Sequence, residues 1–404
     1  MHYCIIGNGV AGTEAAFAIR SQDSSSEITV VTQAAHYMYY RPRLIEYLSG
    51  TIKPENLYIY KPSVYDEKHI ELLFTTNVLA IDKNKKTIQL HNGADMHYDK
   101  LCIATGAYPA IPDITGNNLN GVFTLREIED ADAILSHIDN TANKDVVVVG
   151  GGLLGLETAH SLSKRNCNVT VIEFYDRLLP KQLDNEGAVI IKQLLEQKGL
   201  QFILSESVAS INTINTINTI NTINTINKNE HGLTLHCTSG RIIDASTVIF
   251  SMGIKARTDL AKNAGLTVNR GIIINNYLQT SNPDIFAAGD PSEHNGICYG
   301  IWTASREQGK LAGLNMAGAN NEYNGTLLSV VLKITGIDLY SAGDFTRKDC
   351  TVLSQRDTSR YVKFLYKEKT PVASIVIGDM NIIKLARNVM EGKTSIDELI
   401  ALLQ

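Results

Sequence analysis

Two stretches, MHYCIIGNGVAGTEAAFAIR and DVVVVGGGLLGLETAHSL, each run from an apolar strand through G-x-G-x-x-G into a helical pattern. Nothing else in the chain restricts its fold as strongly. The glycines are Gly7, Gly9 and Gly12 in the first copy and Gly150, Gly152 and Gly155 in the second. In such a loop the first glycine allows a tight turn, the second lets the backbone approach a pyrophosphate, and the third lets helix and strand pack closely. The helix that follows presents unpaired N–H groups to the phosphates. Asn8, Val10 and Ala11 in one loop and Leu154 in the other are candidate contacts of the same kind. EITVV and NVTVIE supply the returning strands, so each copy is a βαβ unit and the chain carries two dinucleotide sites.

The two returning strands end differently. The second reaches Glu173, a carboxylate that can accept both hydroxyls of an adenosine ribose and would repel a 2′-phosphate. NADH is therefore expected there rather than NADPH. The first reaches Thr32 and Gln33, with no carboxylate. One tightly held cofactor and one exchanging donor suit such a pair.

A chain of 404 residues is expected to form two or three domains. A net charge of −5 without a basic run argues against nucleic acid as a partner. No stretch approaches the roughly 18 uninterrupted apolar residues of a membrane span. With no basic leader ahead of the first strand, a cytoplasmic protein is expected. Six cysteines stand singly, without C-x-x-C or a zinc-like grouping, and Cys4, Cys102 and Cys237 fall in strand-like runs and read as core. The tract at 211–227, repeated I-N-T, has a period of three that builds neither a helix face nor a strand face, and reads as the expanded tip of a hairpin. From about residue 322 the pattern changes to VVLKITG, YVKFLY and VASIVIGD, read as strands of a small unit closed by the helix SIDELIALL.

GNGVAG, the ATGA at 104–107, GGGLLGLE, the SMG at 251–253 and TSNPDIFAAGD occur in the order found in the two-dinucleotide-binding flavoproteins, the superfamily that includes glutathione reductase, and resemble it over residues 1 to about 320. The resemblance implies an α/β fold with two Rossmann-like domains, one for FAD and one for NAD, and a small C-terminal α+β domain. It places FAD in residues 1–110 and 248–321, NADH in 111–247, and the small domain in 322–404. It implies that Asp290 holds the ribityl chain, that Ala104, Thr105 and Gly106 lie against FAD with Thr32 and Gln33, that Val78 offers its backbone to the adenine, and that Gly253 lines the nicotinamide site.

Relatives in that superfamily carry redox cysteines just after the first βαβ unit, where this chain reads YMYYRPRLIEYLSG without a thiol. Thiol chemistry is then not expected, and Cys298 is read as a core or surface residue. The RPRL turn, GGGLLGLE and VLKITG are similar to NADH:rubredoxin oxidoreductases, to the flavin portion of NADH-dependent nitrite reductases and, more loosely, to ferredoxin reductases, whose RPxLSK has lysine where Glu46 stands. By this resemblance Glu157 faces the nicotinamide and orients its carboxamide, Trp302 lies along the isoalloxazine just ahead of a helix starting near Ser305, and Lys333 places positive charge beside the flavin. Arg41 suits the flavin pyrophosphate. His36 is read as structural. Arg41, Arg43, Lys53 and Lys61 form a candidate rim for an acidic partner. The expected reaction runs from NADH through FAD to a small rubredoxin-like protein. The alternatives are an NADH oxidase, a flavin subunit feeding nitrite reductase, and a flavin redox sensor without turnover.

Overall fold

The computed structural model describes residues 1–214, 232–334 and 336–403. The chain divides into two compact units, Met1–Arg43 with Ile52–Tyr108 and Ile254–Thr326, and Leu44–Thr51 with Pro109–Gly253 and Leu327–Gln404. One change of unit, between Tyr108 and Pro109, falls inside the proline-containing stretch AYPAIPDITG.

In the first unit five parallel strands lie in the order Ile285–Ala287, Lys100–Ile103, His2–Ile6, Glu27–Val31, Glu71–Leu73. Parallel strands covered on both faces read as continuous apolar runs, and YCII and ITVV obey this. Cys4 and Cys102 are fully buried among them. The helix Val10–Gln22 crosses back over the sheet, and Trp302–Met316 packs along it. Their approach is close because a Cβ on Gly309 or Gly313 would stand 2.2 Å from the carbonyl oxygen of Ala11 or Ala15. Two small pairs four residues apart on each helix make one seam. A three-stranded antiparallel sheet, Val78–Asp82, Thr87–Leu90 and Asp95–His97, completes this unit's larger elements.

The second unit repeats the plan with parallel strands in the order Gln201–Ile203, Asn168–Ile172, Asp145–Val149, Thr247–Phe250, Val122–Thr124. Helices Ile128–Asn140, Leu153–Ser163 and Asn185–Glu196 accompany them. In the last, Ala188, Ile190, Ile191 and Leu195 are buried, while Leu194, expected on the core face, is only half-buried. A meander of Val208–Thr213, Leu233–Cys237 and Ile242–Ala245 buries Ile211, Leu233, Leu235 and Cys237. The first three residues of the I-N-T tract thus belong to a strand, and Ile214 N–H still donates to Gly232 O at 2.8 Å. The expected loop tip, 215–227, lies outside the described residues.

The same unit carries a five-stranded antiparallel sheet in the order Ser329–Ile334, Ile337–Gly343, Thr370–Ile377, Tyr361–Lys367, Thr351–Arg356. Its strands Ile337–Gly343 and Thr351–Arg356 and the helix Met380–Met390 are additions to the sequence reading. That helix is capped by Asp379, whose carboxylate accepts the N–H groups of Asn381 and Ile382. Ile382, Ile383, Ala386 and Val389 point from it into one core with Tyr340, Val362, Phe364 and Val376. The expected closing helix is present as Ile396–Leu403.

Candidate functional site

In the first unit the glycine loop opens at the carboxyl ends of the parallel strands, where ligands of such sheets bind. Gly7 has φ +111°, and a Cβ there would stand 2.3 Å from Ala104 O; one on Gly12 would stand 1.9 Å from Gly7 O. Packing inside the protein dictates both glycines. Gly9 is different, because its φ is −76° and nothing lies within 4 Å of the place a Cβ would take. Open space above a helix N-terminus is what an incoming pyrophosphate needs, so the cradle fits a dinucleotide. Asn8 is buried and tied into the turn. It accepts from Thr13 Oγ1 at 3.0 Å and donates to His36 O at 3.2 Å.

Gly289, at φ +85°, lies where a Cβ would meet Ala11 Cβ at 2.9 Å, so the AAGD turn sits directly on the first helix. Gln308 fixes that turn, its Oε1 accepting from Gly289 N at 2.8 Å and Ser292 Oγ at 2.8 Å. Ser305 Oγ reaches Asp290 Oδ1 at 3.4 Å. Gly7, Gly12, Ala104 and Asp290 therefore belong to one constellation. Thr32 is buried and accepts Ala34 N–H on its hydroxyl at 3.2 Å. Gln33 donates to Asn77 Oδ1 at 2.5 Å, beside Val78, which begins its strand buried. Arg257, which the sequence reading missed, ties these parts together. Its backbone accepts from Thr105 Oγ1 at 3.0 Å and donates to Gly106 O at 3.0 Å, its guanidinium lies 4.2 Å from the Tyr108 ring, and it reaches Gln33 Oε1 at 3.5 Å.

The second unit repeats the cradle almost bond for bond. Gly150 has φ +123° with its Cβ position 2.3 Å from Ser251 O, Gly155 would place a Cβ 1.9 Å from Gly150 O, and Gly152 again faces open space. Leu154 is exposed, and Gly253 at φ +102° is exposed with nothing near its Cβ position. Glu173 is buried, and its carboxylate accepts from Gly151 N at 2.5 Å and Tyr175 N at 2.9 Å. Gly151, absent from the sequence reading, makes this possible, since a Cβ there would stand 3.0 Å from Glu173 Oε2. The run GGG carried the signal. This carboxylate is thus held against its own glycine loop.

Residues 1–309 match the family described as pyridine nucleotide-disulphide oxidoreductase, and 329–394 match the rubredoxin NAD+ reductase C-terminal domain. The chain belongs to the pyridine nucleotide-disulphide oxidoreductase family. It is similar to the NADH oxidase of Methanocaldococcus jannaschii, 34% identical over 357 residues, covering 85% of this chain and 76% of that one. It is 32% identical over 381 residues to the NAD(P)H nitrite reductase of Bacillus subtilis, covering 93% of this chain but 45% of that protein, so it spans about half the relative's length. The crystal structure of NADH:rubredoxin oxidoreductase from Clostridium acetobutylicum superposes with a TM-score of 0.78 at 26% identity, covering 100% of this chain and 99% of that one.

Although the family's description names disulphides, residues 37–50 hold no cysteine, and Cys298 is held in its thiol form by burial and the Glu293 charge, which push its pKa up. The turn itself is Arg41–Arg43, a single 3-10 turn. Arg41 is half-buried 5.7 Å from the Tyr39 ring, while Arg43, Lys53 and Lys61 are exposed. Tyr40 meets Trp302 edge-on at 4.7 Å. Trp302 is itself the first helical residue, not a residue ahead of a helix at Ser305, because Ile301 is extended and caps the helix. His36 has a partner that the sequence did not reveal, its Nδ1 lying 2.9 Å from Tyr58 OH. Glu157 is half-buried on Leu153–Ser163, and burial first, then the Glu46 charge, push its carboxyl up to about 7. Among the described side chains it makes no hydrogen bond and no ion pair. Lys333 lies in Ser329–Ile334, a strand that packs against Glu157's helix.

No helix among the described residues is long and apolar enough to cross a membrane, and no cluster of His, Cys, Asp and Glu there is suited to a metal.

Proposed function

We propose that this chain is an FAD-dependent NADH oxidoreductase that delivers electrons to a small redox protein of the rubredoxin type. The observation that carries this reading is the duplicated cradle, two glycine loops of one geometry of which one ends on the Glu173 carboxylate. In this reading residues 1–110 and 248–321 bind FAD, 111–247 bind NADH, and 322–404 form the small domain. FAD, when bound, accepts a hydride and releases electrons singly. The protein's own groups bind and orient. Asn8, Gly9, Val10 and Ala11 present the first helix end to the FAD pyrophosphate, Asp290 takes the ribityl hydroxyls, Thr32, Gln33 and Val78 lie toward the adenosine, and Arg41 meets phosphate oxygens. Gly152 and Leu154 do for NADH what Gly9 and Val10 do for FAD. Glu173 accepts the NADH ribose hydroxyls and disfavours NADPH. Glu157 orients the carboxamide beside Gly253, and Trp302 lies along the flavin ring.

The rubredoxin-type acceptor is supported by the end-to-end likeness to NADH:rubredoxin oxidoreductase and by the matching C-terminal domain. A cytoplasmic location is supported by six free cysteines. Anaerobic mixing of the FAD-loaded protein with NADH tests the donor side, and bleaching of the flavin within seconds is expected. Offering the reduced protein rubredoxin, ferredoxin or oxygen tests the acceptor side. Oxygen as the fastest acceptor would favour the NADH oxidase reading that the 34% identity to such an enzyme supports. A flavin that NADH does not bleach would leave a sensor without turnover.

A further inference from the structure

Directly after the RPRL turn, Leu44–Leu48 forms a helix of five residues, too short to hold itself in water. Its end is nevertheless fully accounted for. Ser49 N–H donates to Ile45 O at 3.0 Å, Gly50 N–H to Tyr47 O at 2.9 Å and Thr51 N–H to Glu46 O at 2.9 Å, and Gly50 takes the φ of +76° that this ending requires. The last carbonyl, that of Leu48, accepts from Arg165 Nε at 2.7 Å. Arg165 follows Leu153–Ser163 by two residues, and its other nitrogens lie 3.7 Å from Asp139 and 3.3 Å from the Cβ position of Gly50. Tyr47 OH donates to Asp132 Oδ1 at 2.5 Å.

Two kinds of force act on this helix. Leu44 and Leu48, 2% and 0% exposed and on one face, set its depth and turn that face inward, but burial is not directed at single atoms and tolerates small rotations about the axis. Rotation is what moves Glu46, the residue between them. The directed bonds from Arg165 and Tyr47 add resistance to such a rotation. The helix packs against both Leu153–Ser163, which carries Glu157, and Ile128–Asn140, which carries Asp132.

We propose that Arg165 is a positioning residue for NADH oxidation: it holds the carbonyl end of Leu44–Leu48, fixes Glu46 against the helix of Glu157, and so sets the carboxyl that orients the nicotinamide. The inference rests on the role given above to Glu157. It is tested in the full-length, FAD-loaded protein by anaerobic stopped-flow with NADH, using Arg165→Met, Arg165→Lys and Tyr47→Phe. In R165M the limiting rate of flavin reduction is expected to fall about ten-fold, the scale of a misplaced positioning group, while half-saturation by NADH changes by less than about two-fold. R165K, which keeps one donor for the Leu48 carbonyl, is expected to recover most of the rate. Reoxidation by ferricyanide should not change in any variant. Y47F, which removes one directed bond and little volume, is expected to slow reduction about three-fold and keeps the test alive if R165M does not fold. A limiting rate in R165M, or in Y47F where R165M is lost, equal to the wild type overturns the inference, whatever the melting temperature. If NADH fails to reduce the wild type, the proposed function falls and takes this inference with it; a reduced wild type with an equally fast variant removes the inference alone.

Discussion

The two cradles share their hydrogen bonds as well as their glycines. Gly7 N–H donates to Val31 O and Gly150 N–H to Ile172 O, both at 2.8 Å; Ala104 N–H reaches Ile6 O at 2.9 Å and Ser251 N–H reaches Val149 O at 2.8 Å. They differ in the side chains set on that shared backbone. Where the first has Asn8, knotted to Thr13 and His36, the second has Gly151, which leaves its N–H to the Glu173 carboxylate. Two residues after the third glycine both helices carry a glutamate, yet Glu14 is paired with Arg306 at 3.0 Å while Glu157 has the Glu46 charge for a neighbour and a pKa pushed up to about 7. One cradle is neutralised and tied internally, which suits a ligand that stays. The other keeps a titratable carboxyl with no ion-pair partner among the described residues, which suits a ligand that changes charge and leaves.

The largest effects should come from filling the glycine seams, which separates the cradles outright. A side chain on Gly12 or Gly155 must displace backbone, so overpacking costs of about 3 kcal/mol or more are expected at each. Gly155→Val should be purified with FAD but lose NADH-dependent reduction by about 100-fold, whereas Gly12→Val should lose FAD itself. Absorbance of bound flavin and stopped-flow reduction measure the two outcomes. A G155V protein reduced at the wild-type rate would break the assignment of the cradles.

Next in size is the carboxylate that only one cradle has. Glu173→Ala removes the acceptor of two backbone N–H groups and the proposed ribose contact, and NADH affinity should fall about ten- to a hundred-fold, or roughly 1.4 kcal/mol per decade. Preference for NADH over NADPH should shrink in the same variant, measured as the ratio of half-saturation concentrations. An unchanged ratio would mean that Glu173 serves the loop alone.

How much of this was legible in the chain depends on distance along it. Gly7, Gly9, Gly12 and their counterparts, Glu173 and the strand cores around Cys4 and Cys102 sit in motifs of fixed local spacing, so pattern sufficed even though Gly7 and Gly150 meet distant Ala104 and Ser251. Gly151 was legible in principle, since a third consecutive glycine has no role in the turn itself. Arg257, Arg306, Gln308 and Arg165 were not, because each acts on a group from 16 to 292 residues distant and nothing local marks the pairing. The helix Met380–Met390 went unread for a different reason: it starts two residues after Gly378, at φ +81°, almost directly on the end of a strand. Its apolar residues then look like a continuation of VASIVIGD.

A smaller effect sharpens the contrast between Glu14 and Glu157. Burial and Glu46 raise the folded value of Glu157 to about 7, above an ordinary carboxylate. A raised acid binds its proton more tightly when folded, so this contribution to stability is complete below the unfolded value and is lost as pH rises through about 7. Glu157→Gln should therefore melt higher than wild type at pH 8 and close to it at pH 4. In the proposed role of Glu157 the ionised carboxyl would accept the carboxamide N–H more strongly than the neutral one, so the limiting reduction rate should rise about three-fold between pH 6 and pH 8. Glu46→Gln should move that midpoint down, and Glu14→Gln should leave it unmoved.

The smallest effect concerns where electrons leave rather than where they enter. Lys53 and Lys61 are exposed, and neither belongs to a cradle. If they greet an acidic acceptor, Lys53→Glu with Lys61→Glu should slow electron delivery to rubredoxin by about three- to ten-fold at low salt, through the association rate. The deficit should vanish near 0.5 M salt, where charges more than a few ångströms apart are screened. Reduction by NADH should be identical in the variant and the wild type, because the proposed donor site is the second cradle. A deficit that persists at high salt, or that appears equally with ferricyanide, would locate the acceptor's path elsewhere and leave YYRPRL as a turn whose arginine serves FAD only.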